Sequence, residues 1–366
     1  MAVARAIVML GPRSFELREL ELPSQPRPGG ALMRVLGNGI CGSDWDVYSG
    51  AMANPAGRPA PFPMVPGHEP VGEIVAIDDA AAVAWGVAAG DTVVVESRVR
   101  CGSCPACLRG QGPQCRNAIT YSLVPLDHGS GLFGGMAEYM ELLPNTSVFK
   151  VPDGLGVEDA AIFNPLGNAM QWTLEAGQVG VGDRVLILGC GQRGLCCAVA
   201  AREAGASQVI VTGLGSTDAH KLALAPEFGA DATIDVEREE TVAAVAALTG
   251  GEGVDVVVDT VPASYGPIAD AFEALRLGGT LVLAGVRGRN ADDFPFDRIR
   301  GKALRVIGVA ATTAWSVENA LRIIASGRYP FARLHSHRFA LEEAEQAVRT
   351  LGGEVGSDPL HITVMP

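Results

Sequence analysis

The chain has no long uninterrupted apolar run, no excess of basic residues, no internal repeat and no low-complexity linker, and the first two absences each remove a class of function. Hydrophobic residues make up 48% of its 366 positions, yet they fall in Ala- and Gly-broken stretches that never reach the ~20 residues needed to cross a bilayer. No membrane role is expected. The opening segment, MAVARAIVML, is too short and too β-like for a secretory signal and reads as a first strand, so the expected setting is the cytoplasm. A formal net charge of −13 leaves no basic footprint for phosphate backbones, which excludes nucleic acid as an expected partner. The length suits two domains better than one core.

What is present begins with CGSCPACLRGQGPQC, which spaces Cys101, Cys104, Cys107 and Cys115 as C-x2-C-x2-C-x7-C. Four thiolates at this spacing can close on one tetrahedral ion. Sulfur is a soft ligand and zinc imposes no geometry of its own, so zinc is the natural occupant. Four sulfurs leave no position for a substrate, and the expected role is architectural. Such ligation supplies roughly 10 to 16 kcal/mol of apparent binding energy in small peptides, more than this Gly- and Pro-rich lobe, at about 97–118, could gain by burial. The alternatives are an iron–sulfur cluster or two disulfides, which cysteines this close in sequence would strain.

The texture changes near residue 165. Before it, short β-like runs such as ALMRVLGNGI, GEIVAI and DTVVVE stand between Gly and Pro turns and predict an antiparallel, barrel-like β domain. After about residue 180 strands and helices alternate: DRVLILG, LCCAVAAREAG, QVIVTG, then a helix through HKLALAPEFGA. Strands follow at VDVVVDT, GGTLVLAG and RVIGVA, with a helix at PIADAFEALRL. This alternation predicts a parallel, doubly wound sheet. The helical tail, SVENALRIIASG and LEEAEQAVRTL, lies outside that sheet, so the first domain is expected to be discontinuous, 1–167 with 314–366, around a second at 168–313.

In the second domain, LGCGQRGL carries Gly189, Gly191 and Gly194 as GxGxxG, with Gln192 and Arg193 between them. The motif is weak alone. Here it follows an apolar strand and opens a helix, where small residues admit a pyrophosphate and the helix terminus offers free N–H donors. An acidic residue normally ends the next strand and binds the NAD ribose. This strand ends VIVTG, with Gly213 at that place, and Ser216, Thr217, His220 and Lys221 nearby could serve a 2′-phosphate. The balance tips slightly toward NADP. Against it, no arginine follows the strand, and Asp218 could reach a ribose.

GICGSDWDVYSG and VPGHEPVGEIV place Cys41, Ser43, Asp44, His68 and Glu69 near strand ends. Together with the four-cysteine lobe, GGMAEYM, NPLGNA and the dinucleotide turn, in that order, these segments resemble the zinc-containing medium-chain alcohol dehydrogenases, particularly the polyol and threonine dehydrogenase branch. The resemblance covers nearly the whole chain. It implies a GroES-like catalytic domain and a Rossmann domain with the active site in the cleft between them, and a homodimer or homotetramer. It also implies a catalytic zinc on Cys41 and His68, with a third ligand from the position of Asn164. Relatives have Cys, Glu or Asp there, and an amide oxygen is a weaker, neutral ligand. Three outcomes stay open: Asn164 binds, Glu69 completes the shell, or the site holds metal poorly. Asp44 resembles a carboxylate that orients His68, with turn capping as its alternative role.

Zinc lowers the pKa of a coordinated hydroxyl, which allows hydride to pass from an alcohol to nicotinamide at neutral pH. Ser43 matches the family's proton-relay hydroxyl, and Asp46 stands where relatives often have a histidine. A carboxylate's ordinary pKa of about 3.9 suits that role less well. Asp46 could equally be a solvated loop residue. Trp45 and Trp172 flank the ligand segments and could wall a pocket for a bulky secondary alcohol or simply fill core. Cys190, Cys196 and Cys197 read as packing residues, and His335 and His337 as members of a late strand. The expected function is a zinc-dependent, NAD(P)-linked dehydrogenase of a secondary alcohol or polyol. The alternatives are a zinc-free quinone or enoyl reductase, or a nucleotide-binding redox sensor that keeps only the structural zinc. Substrate choice is expected to rest on loops near 45–60, 120–130 and 286–300.

Overall fold

Short apolar runs bounded by Gly and Pro become strands in the first part of the chain, because β-branched residues pack well on a pleated surface and the turns interrupt helix formation. The computed structural model describes residues 2–51, 59–288, 290–291, 294–356 and 358–366. Segments 52–58, 289 and 292–293, which belong to two of the loops expected to shape a substrate pocket, lie outside the described residues. By contacts the chain forms two units, 1–164 with 331–366, and 165–330. The helix Ala314–Ala325 therefore belongs to the second unit, whereas the sequence boundary at 314 assigned it to the first.

In the first unit the strand Ala31–Gly39 runs antiparallel to Glu69–Ile77 and to Tyr139–Leu142. Glu69–Ile77 pairs in turn with Thr92–Val95, and that strand with Val148–Lys150. The chain's last strand, His361–Met365, adds to Ala31–Gly39 with Thr363 opposite Gly39. It is flanked in parallel by His335–Ala340, so the sheet is antiparallel except at this one pairing. Inward-facing Met33, Val35, Ile74, Val93, Val95, Tyr121 and Phe133 form its core. The register sets Gly39 opposite Glu69 and thereby brings the ends of two sequence-distant ligand segments together.

Among the described residues the second unit holds six parallel strands: β1 (Arg184–Leu188), β2 (Gln208–Gly213), β3 (Ala232–Asp235), β4 (Val254–Asp259), β5 (Leu275–Leu283) and β6 (Arg305–Gly308). Their order is β3-β2-β1-β4-β5-β6, the dinucleotide-binding arrangement with its switch point beside β1. Val185 to Leu188, Val209 to Val211 and Val256 to Val258 are all buried, as expected of strands covered on both faces. Two predicted helices are shorter than their sequence patterns. The helix after β2, α2 (Gly215–Leu224), gives way to a 3-10 turn at Ala225–Phe228, because Pro226 cannot donate to a continuing helix. The helix Gly266–Ala274 stops before Leu275, whose side chain is buried in the sheet core as the first residue of β5. Among the described residues no helix is long and apolar enough to cross a membrane.

Candidate metal centres and dinucleotide turn

The four-cysteine lobe is held between the short antiparallel strands Arg98–Val99 and Ile119–Thr120. Cys104 caps the helix Pro105–Leu108, whose proline at the first position is preset for helix entry. All four thiols gather within 4.8 Å of one another. Cys115 Sγ lies 3.6 Å from Cys101 Sγ and 3.9 Å from Cys104 Sγ. Four sulfurs at zinc bond lengths stand about 3.8 Å apart at tetrahedral angles, whereas a disulfide needs about 2 Å. The set therefore fits one tetrahedral ion, and among the described residues no cysteine forms a disulfide. The backbone N–H groups of Ser103 and Cys104 bring the Cys101 thiol down to about 6, while burial and then Cys104 push Cys107 up to about 12. Four crowded thiols do not all ionise without a cation, and a divalent ion removes that conflict.

The second group starts at Cys41, which directly precedes the helix Gly42–Ser49 and follows the strand Ala31–Gly39. His68 directly precedes and Glu69 opens the next strand, after Gly67, whose φ of +94° favours glycine and whose Cβ would stand 2.7 Å from the Met136 nitrogen. Cys41, His68 and Glu69 each offer one ligand atom within 4.8 Å of the others. Asp44 fixes two of the three: one oxygen accepts from the Cys41 N–H at 2.9 Å, and the other stands 3.1 Å from His68 Nδ1. With Nδ1 donating to Asp44, the Nε2 lone pair is directed into the centre. Capping and ligand orientation, the two roles weighed for Asp44, coincide in one carboxylate.

Ser43 Oγ lies 3.2 Å from Cys41 Sγ and 3.3 Å from His68 Nε2, beside both ligand atoms. The Glu69 side chain is wholly buried, and a Cβ on Gly39 would sit 2.7 Å from its Oε2, so only glycine leaves that carboxylate its place. Burial opposes charge on His68, but Asp44 and Cys41 outweigh it and lift the imidazole well above its ordinary range. A buried cluster that draws a proton in this way is one that a cation fits. Asn164 is also buried, on the helix Phe163–Met170. Asp46 is half-buried, and burial, followed by the charge of Asp44, raises its carboxyl above the usual value.

In the second unit, Gly189 ends the β1 turn at φ +96°, and Gly191 precedes α1 (Gln192–Glu203). A Cβ at Gly194 would lie 1.9 Å from the Gly189 carbonyl, so that glycine is required by helix–strand packing. A Cβ at Gly191 would meet nothing within 4 Å, leaving the open approach a pyrophosphate requires. We expect Gly194→Ala to cost about 1 to 3 kcal/mol of stability through overpacking. It should also weaken dinucleotide binding, measured by fluorescence titration beside thermal unfolding. Gln192 is buried at the start of α1, and Arg193 stacks over the Trp172 ring at 5.4 Å. Lys221 is paired with Asp218 at 2.9 Å, and Ser216 is bonded to Glu237.

The two tryptophans occupy packing positions. Trp45 fills the space a Cβ on Gly352 would take, with the Arg13 guanidinium over its ring, and Trp172 is buried in a π-helical turn at Gln171–Ala176. Cys190, Cys196 and Cys197 are buried, as the packing reading expects. His335 has two partners the strand pattern did not disclose, Asp159 at 2.8 Å and His361 at 3.2 Å. Sequence spacing could not flag Asp159 or His361, since strand pairing brings His361 to His335 and the packing of the helix Val157–Ala161 brings Asp159. Among the described residues they do not join a metal-ligating set.

Residues 27–153 match the family model for the alcohol dehydrogenase GroES-like domain, and residues 194–326 that for zinc-binding dehydrogenases. A probable alcohol dehydrogenase of Mycobacterium tuberculosis is 42% identical over all of this chain and 99% of its own length. The erythritol/L-threitol dehydrogenase of Mycolicibacterium smegmatis is 32% identical over 99% of this chain and 97% of its own. Among solved structures, a putative zinc-binding dehydrogenase from Sinorhizobium meliloti, bound to NADP, superposes with a TM-score of 0.84 at 27% identity and full coverage of both chains.

Proposed function

Because the chain belongs to the zinc-binding, GroES-like alcohol dehydrogenase family, we propose that Cys41, His68 and Glu69 hold a catalytic zinc at which a secondary alcohol or polyol is reversibly oxidised with NAD(P). It is an oxidoreductase acting on CH–OH donors. The observation that carries the metal assignment is the convergence of three ligand atoms within 4.8 Å, two of them fixed by Asp44. In this reading Glu69, already within the cluster, supplies the third donor, and its charge with that of the Cys41 thiolate balances a divalent ion. The four-cysteine lobe holds a second, structural zinc. Zinc in the Cys41 centre would acidify the substrate hydroxyl, and the nicotinamide would accept hydride.

The remaining work falls to this chain's side chains. In this reading Ser43, in contact with both Cys41 and His68, takes the substrate's proton as it passes its own onward. Asp46 is the final acceptor, and its raised pKa brings it closer to the ambient pH than a solvated carboxylate. Asp44 keeps His68 in the ligating tautomer.

Metal analysis tests the ligand set. Glu69→Gln is expected to lower zinc content toward one ion per chain, and Asn164→Ala to leave it near two; the reverse pattern would transfer the role to Asn164. Asp44→Asn is expected to weaken zinc affinity about 10- to 100-fold, read by competition with a chelator. Asp46→Asn should slow alcohol oxidation at pH 7 by about ten-fold or more. Because Asp46 is raised, the wild type loses activity as pH falls through its carboxyl pKa, and the variant should lack that acidic limb. An unchanged limb would remove Asp46 from the relay.

Eight cysteines with no disulfide among the described residues support a reducing, cytoplasmic setting. The family resemblance supports a homodimer or homotetramer, which light scattering would test.

A further inference from the structure

The strand that should carry the ribose-binding acid ends instead in Gly213, and the structure shows why no side chain fits there. A Cβ on Gly213 would lie 2.4 Å from Cys190 Sγ and 3.0 Å from the Leu222 side chain. The thiol of Cys190, the second residue of the glycine-rich turn, has taken that space. Near it stands Asp218, which accepts a hydrogen bond from the Leu214 N–H at 3.2 Å.

Most of the groups that could receive a 2′-phosphate are already engaged with carboxylates. Lys221 is paired with Asp218, and its side chain is only 13% exposed. The N–H and hydroxyl of Ser216 both donate to Glu237, at 2.6 and 2.8 Å, and the Gly215 N–H donates to Asp235 at 2.8 Å. Arg238 is turned to Asp235 at 3.3 Å and is otherwise solvated. The first turn of α2 thus meets carboxylates where a phosphate-reading site would present free donors.

We propose that Asp218 takes the ribose hydroxyls in place of the acid absent at Gly213, and that Asp218 and Glu237 together make this subsite select NAD over NADP. The proposal deepens the dehydrogenase reading and rests on it. A 2′-phosphate brings about two negative charges, and a single like-charge contact near a protein surface is enough for about a ten-fold penalty.

The test is equilibrium binding of NADH and NADPH by nicotinamide fluorescence, with adenosine 5′-diphosphoribose and its 2′-phosphate as fragments, none of which requires turnover. The wild type is expected to bind NADH and the unphosphorylated fragment at least about ten-fold more tightly than the phosphorylated forms. Asp218→Asn should weaken NADH and the unphosphorylated fragment. The double variant Asp218→Asn/Glu237→Gln should bring the ratio close to one, mainly by gain of the phosphorylated ligands, and circular dichroism controls for folding. Lys221→Ala should not weaken NADPH binding. A wild type that prefers NADPH, or a double variant with an unchanged ratio, overturns the proposal alone. Failure of the wild type to bind either dinucleotide overturns the dehydrogenase reading with it.

Discussion

Replacing Cys41 with alanine is expected to reduce alcohol oxidation by at least about 10³-fold, since metal activation of a hydroxyl is worth several kcal/mol and each 1.4 kcal/mol is ten-fold in rate. Cys41 gives the candidate catalytic centre its only thiolate, and its backbone N–H is tied to the carboxylate that orients His68. Loss of the sulfur leaves a divalent ion one ligand short, with His68 and Glu69 remaining from the cluster. Zinc should fall from two ions per chain to one. NADH binding should persist, because the glycine-rich turn and the residues around Gly213 belong to the other unit. A Cys41→Ala enzyme that keeps its turnover would sink the proposed chemistry, and one that loses NADH binding as well would point to a folding defect.

The second large effect is expected at the four-cysteine lobe. Cys104→Ser removes one of four sulfurs clustered within 4.8 Å. The lobe has little else to order it: Leu108 is exposed, and the ribbon beneath it is two residues long on each strand. Loss of even 5 of the roughly 10 to 16 kcal/mol available from such ligation should open the segment from Cys101 to Cys115 to protease. If that opening spreads to the whole unit, unfolding temperature should fall by about 10 to 20 °C. Metal content should decrease by one ion, and the remaining ion should stay with Cys41 and His68. A stable, protease-resistant variant with undiminished zinc would show that the cysteines do not hold a metal. Acid should act in the same direction as the mutation, because protons compete with zinc for thiolates.

Much of this was legible locally. The cysteine spacing announced a lobe that can close on one ion, because all four ligands lie within fifteen residues and a short loop suffices to gather them. The glycine-rich turn was legible for the same reason: strand, turn and helix follow one another, and Gly194 is fixed by contact with Gly189 only five residues earlier. Helix ends were less legible. The pattern through HKLALAPEFGA continues past Leu224, but Pro226 ends the α-helix, and PIADAFEALRL runs on into residues that the sheet claims for β5.

The cofactor subsite shows the limit most clearly. Read in line, Gly213 followed by Ser216 and Lys221 suggests a place for phosphate. In the fold, Asp235 and Glu237 arrive from the end of β3, pair with the backbone of α2, and change the charge of the same surface.

The amino-acid order alone determined the strand and helix alternation, the thiol-rich lobe and the dinucleotide turn, since each depends on neighbours in the chain and on periods of two or 3.6 residues. Only the tertiary structure decided that Asp44 holds both Cys41 and His68, that Glu69 points into their midst, and that carboxylates surround the end of β2. Sheet pairing shapes those choices: it sets Gly39 against Glu69 and β3 beside β2, and a shift of one residue would turn Glu69 and Asp235 to the opposite face.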